Sequence, residues 1–153
     1  MRWLSLAFAL AFAGSAAAQS LVAPEHGGIP AKAEKPRLDF QVTVLHASPE
    51  PGGVGPGAER FDRLLRDTVR YESLSVVKTK ARRVDLNEIE RVALPTGQDF
   101  RFRPIDASDR GVLVSVDWRK AARGDFRLPR GKPLILGGQP YLGGQLVVIL
   151  EAE

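Results

Sequence analysis

The chain has 153 residues, 44% hydrophobic and 26% charged, with a formal net charge of +4. Those values lie near the globular average and set aside a collagen, a coiled coil, a disordered tail and a multi-domain enzyme. The absence of cysteine removes disulfides, thiolate metal sites, a cysteine nucleophile and a lipidated cysteine.

Met1–Ala18 reads as a cleavable secretory signal peptide. Arg2 is the positive n-region, Trp3–Ala13 the apolar stretch, and Ala16–Ala18 the small residues before cleavage. The apolar stretch falls well short of the roughly 20 residues that span a bilayer. No second such stretch follows, so no transmembrane segment is expected after cleavage. Loss of Arg2 leaves the mature chain slightly less basic. The missing cysteines fit a bacterial periplasm or cell exterior better than a eukaryotic secretory route. Gln19–Arg37, with three prolines and no apolar period, reads as a flexible linker. The folded domain is expected over Leu38–Glu153.

Leu38, Phe40, Val42 and Val44 alternate with polar residues and predict a first strand over Leu38–Ala47. Ser48–Gly57, rich in Pro and Gly, predicts an irregular loop. Ala58–Arg70 is the one predicted helix. Phe61, Leu64, Leu65 and Thr68 lie on one stripe, and Glu59–Arg63 and Asp62–Arg66 are spaced as ion pairs. Tyr71–Val84 predicts a long strand, plain or bulged. Glu88–Leu94 and Asp99–Arg103 follow around the Pro95–Gly97 turn. After a turn at Asp106–Gly111 comes Val112–Trp118, with Val112, Val114, Val116 and Trp118 on one face. Asp125–Leu128 and Leu134–Leu136 are short strands. Gln145–Leu150 is apolar on both faces and is expected in the middle of a sheet. Seven or eight short strands with frequent turns predict a mainly β protein. The expected architecture is an antiparallel β-sandwich, Ig-like or similar, with one amphipathic helix after the first strand.

The chemistry-bearing patterns are sparse. His26 and His46 are the only histidines, and zinc catalysis generally needs three protein ligands. A weak site at His46 and Glu50 is the best metal alternative, and no metal or cofactor is expected. His46 with Ser48 is the best hydrolase alternative, but no Gly-x-Ser-x-Gly elbow accompanies it. Leu94–Gly97 falls one residue short of a sortase signal and reads as a turn. The chain is therefore read as non-enzymatic.

Two stretches point to binding. Gly137–Gly144 reads as a wide loop displaying Tyr141 and Leu142, and loops on rigid scaffolds often carry recognition. Lys78, Lys80 and Arg82 project from one strand face, with Arg101 and Arg103 expected on a neighbouring strand. Together these would meet an anionic glycan, a lipid headgroup or an acidic protein. Nucleic acid is not expected as a partner. The first functional expectation is an exported envelope protein that binds another protein in a surface or secretion assembly. The alternative is a periplasmic module for an anionic lipid, glycan or small molecule.

Overall fold

The computed structural model of the chain describes residues 34–153. The expected signal peptide, most of the expected linker and His26 lie outside them. Residues 34–36 have no regular structure, and Arg37 opens the first strand rather than closing the linker.

Nine strands and one helix follow: β1 Arg37–Ser48, β2 Gly53–Val54, α1 Glu59–Leu65, β3 Ser73–Asp85, β4 Glu90–Ala93, β5 Asp99–Ser108, β6 Gly111–Trp118, β7 Ala122–Leu128, β8 Leu134–Tyr141 and β9 Gly144–Ala152. They form a β-sandwich of two sheets. One has the order β2-β3-β1-β9-β8 and the other β4-β5-β6-β7. Every pairing is antiparallel except the two-residue bridge of β2 to β3.

The alternation of each strand builds the core between the sheets. Phe40, Val42 and Val44 of β1 and Leu146, Val148 and Leu150 of β9 meet Phe100 and Phe102 of β5 and Val114, Val116 and Trp118 of β6. Phe40 and Phe102 pack edge to face at 5.1 Å between centroids, an arrangement that aromatic quadrupoles favour. The opposite face of the five-stranded sheet carries a second core. There Leu45, Leu74, Val147 and Ile149 lie under Phe61 and Leu65 of α1. β9 is thus buried on both faces because α1 covers one and the other sheet covers the other.

The helix is shorter than the sequence stripe predicts. It ends at Leu65, and the chain then turns so that Val69 is buried while Leu64 and Thr68 face solvent. The Asp62 carboxylate is the local anchor. It accepts from Arg66 Nε and from the Tyr71 hydroxyl, each at 2.8 Å. Both bonds hold its pKa below the ordinary value. The expected Glu59–Arg63 pair does not form among the described residues; Arg60 instead reaches Glu151 of β9 at 2.9 Å. The loop after β1 is not wholly irregular either, since Gly53–Val54 bridges to Ser73–Leu74.

Three bulges set which side chains face inward. On β3 the extra residue is Val77, so Leu74 and Val76 point to α1 while Lys78, Lys80, Arg82 and Val84 point toward the other sheet. On β5 the shift falls after Pro104 and on β8 after Gly137. A β-bulge adds one residue to one strand and so inverts the alternation beyond it. The predicted Gly137–Gly144 loop is therefore mostly strand, and only the bulged Gly138 and the tip residues Leu142 and Gly143 lie outside the pairing.

Candidate functional site

One end of the sandwich gathers four connections: the loop after β1, the β4–β5 turn, the β6–β7 turn and the β8–β9 turn. The bulge at Gly138, whose φ is +113, turns Gln139 into the space between the sheets. There Gln139 is 7% exposed. Its Oε1 accepts from Trp118 Nε1 at 3.0 Å and from the Thr96 hydroxyl at 3.3 Å. Its Nε2 donates to Gln98 Oε1 at 2.8 Å. One side chain from β8 thereby fixes the turn of β4–β5 and the last residue of β6. A buried polar network with its members satisfied rigidifies what it joins.

Tyr141 and Leu142, expected together on a displayed loop, have different surroundings. Tyr141 folds back onto the core and is half-buried. Its ring packs edge to face on His46 at 5.3 Å, and its carbonyl lies 3.0 Å from His46 Nε2. Gly144 lets this corner close, because a Cβ there would collide with the Ala47 carbonyl oxygen. Leu142 stands at the hairpin tip, 73% exposed. Leu142 and Gly143 both have positive φ, +43 and +75, the pattern of a type I′ turn. Asn-Gly is the usual pair there, and leucine in this region is sterically costly. The β6–β7 turn repeats the feature. Ala121 N–H closes it on the Trp118 carbonyl at 3.0 Å, and Lys120 takes φ +66 at a position where glycine is usual. Among the described non-glycine residues only Asn87, Lys120 and Leu142 have positive φ, and two of these three stand at this end.

The expected basic patch is divided by the fold. Lys78, Lys80 and Arg82 belong to β3 of the five-stranded sheet, whereas Arg101 and Arg103 belong to β5 of the other. The two groups are not on neighbouring strands. The Val77 bulge turns the first group toward the gap between the sheets, where Lys78 Nζ donates to the Ala93 carbonyl of β4 at 2.7 Å. Arg82 pairs with Glu90 of the same strand. These two bases clasp two sheet edges together, and they protect edges that would otherwise be open to strand pairing.

Arg101 and Arg103 lie on the outer face of the four-stranded sheet, opposite the inward Phe100 and Phe102. The register places Arg91, Arg101, Asp117 and Arg123 in one cross-strand row. Arg123 holds Asp117 Oδ1 through Nε at 3.2 Å and Nη2 at 3.0 Å. Among the described residues Arg91, Arg101 and Arg103 have no carboxylate within ion-pair distance. Arg91 belongs to this face but is obscure in the sequence, because β4 is too short to show an alternation.

The alternatives centred on His46 meet a different geometry. His46 Nε2 is engaged by the Tyr141 carbonyl, and the Ser48 hydroxyl accepts from the Glu50 N–H at 3.1 Å. Neither side chain hydrogen-bonds the other among the described residues. No three His, Cys, Asp or Glu side chains cluster as a metal site there. Among the described residues no helix is long and apolar enough to cross a membrane. No protein-family model matches the chain, and no curated protein or solved structure matches it significantly.

Proposed function

We propose that the protein is an exported, non-enzymatic protein-binding module of the cell envelope, which docks through the end of the sandwich that carries Leu142 and Lys120. The observation that carries this reading is the hairpin tip: an apolar side chain, 73% exposed, in a backbone conformation that disfavours leucine. Strained residues that persist on a rigid support cluster at recognition sites. The Gln139 network supplies that support, and pre-organised loops lose little freedom on binding. Export is supported by the sequence pattern of residues 1–18, with its basic start, apolar stretch and small residues.

The test is photocrosslinking in the native cell, with a photoreactive residue placed at Leu142, at Lys120, or at Asp109 in the turn at the far end. Discrete protein adducts from the first two positions and none from Asp109 are expected. Equal labelling from all three positions, or none from the tip, would overturn the reading.

A further inference from the structure

We infer that the outer face of the four-stranded sheet binds an extended acidic segment of a partner protein, with Arg101 and Arg103 as its principal contacts. The inference rests on the reading of the chain as a protein-binding module, but on a different surface from the hairpin tip.

Arg91 and Arg101 are directly opposite one another across β4 and β5. Like charges in that position repel. The carboxylate next in the row, Asp117, is already held by Arg123. An anion placed over the pair would relieve the repulsion. Arg101 also lines two shallow clefts. One, of about 230 Å³, includes Arg103, Ser115 and Ile89. The other, of about 200 Å³, includes Arg119 and the Gly97–Asp99 turn. Guanidinium groups from three chain positions therefore serve adjoining clefts, and guanidinium forks suit carboxylates.

The spacing selects the form of the ligand. Arg101 and Arg103 project from the same face of one strand, about 6.8 Å apart along it. An extended peptide with acids at alternate positions presents carboxylates at that same repeat. Ile89, 55% exposed, borders the Arg103 cleft and offers an apolar contact between charged ones. Asp99 and Asp117 border the clefts as well. They would repel a continuous polyanion or an anionic bilayer, whereas a peptide carries its charges at discrete points and can avoid them.

The test is fluorescence anisotropy on the chain from residue 19 onward. The probes are a labelled peptide alternating glutamate with threonine, the same composition with its glutamates contiguous, a sulfated glycan, and phosphatidylglycerol vesicles. The alternating peptide should bind best. Arg101→Glu with Arg103→Glu should weaken it about tenfold or more, as expected when charged hydrogen bonds are lost. Leu142→Ser should leave it unchanged, and circular dichroism should show both variants folded. Tighter binding of the glycan or vesicles, indifference to glutamate spacing, or indifference to the arginine variant would overturn the inference. Crosslinks at Leu142 without peptide binding would remove this inference alone. Peptide binding without crosslinks would remove the tip reading alone.

Discussion

Gln139 and Trp118 tie the two sheets together through a buried bond of 3.0 Å. The glutamine comes from β8 at the border of one sheet, and the indole closes the core of the other. Their bond also positions the turns that frame the proposed docking end. The geometry of that end thus depends on one amide.

Gln139→Ala removes the partner of the Trp118 N–H, of the Gln98 carbonyl oxygen and of the Thr96 hydroxyl. A buried donor left unpaired costs about 1–3 kcal/mol. Urea denaturation should show a loss of that size. Trp118 is the sole tryptophan after residue 18, so its emission should also move to longer wavelength before the main transition. An unchanged midpoint would mean that the network contributes little to holding the sheets together.

Thr43 offers the opposite case. It is 1% exposed, and its hydroxyl has no hydrogen-bond partner among the described residues. Its neighbours across the sheet are Thr79 on β3 and Ile149 on β9. Valine has nearly the same shape and no polar atom. Thr43→Val should stabilise the fold by about 1 kcal/mol, since an unpaired buried polar group costs at least that much. Calorimetry checks it through a raised Tm. A fall in Tm would show that the hydroxyl is bonded in solution, with water as the partner.

The strands that read clearly in the sequence are those whose alternation is unbroken. Val112, Val114, Val116 and Trp118 face the core as a period of two requires. The double-sided apolar run of β9 likewise announced a strand covered on both faces. Reading failed where one extra residue inverted the alternation. Val77 does not look different from Val76, yet it turns Lys78, Lys80 and Arg82 inward, and Lys78 and Arg82 clasp β4. Gly137–Gly138 read as loop because paired glycines usually punctuate, whereas here they let a strand bulge and bring Gln139 inside. The proposed binding face is half legible: Arg101 and Arg103 alternate with Phe100 and Phe102. Their companion Arg91 depends on a cross-strand register that no local pattern encodes.

Tyr71 gives the fold a dependence on alkaline pH. Burial, with the hydroxyl's bond to the Asp62 carboxylate, pushes its pKa from 10.0 up to about 12. A folded-state pKa above the unfolded value means that the native state holds the proton more tightly. The stabilisation is complete below pH 10 and is lost as pH rises toward about 12. Tyr71→Phe should be less stable near neutrality and should lack this part of the alkaline decline. In a Tyr141→Phe background Tyr71 is the only tyrosine, so tyrosinate absorbance reports it directly. A midpoint near 10 would show that the hydroxyl is not held by Asp62.

The hairpin tip should separate stability from binding. Leu142 holds φ +43 at a turn position suited to asparagine. Its side chain is mostly in water, so little packing is lost on replacement. Leu142→Asn should therefore stabilise the protein by about 1 kcal/mol, the scale of the left-handed penalty for an ordinary residue. The same change removes the exposed apolar group and should reduce crosslinking from the Lys120 position at the same end. Denaturation and crosslinking on one preparation test both effects. A destabilised variant would show that Leu142 packs against the body. A stabilised variant with undiminished crosslinking would show that the tip's strain has no part in recognition.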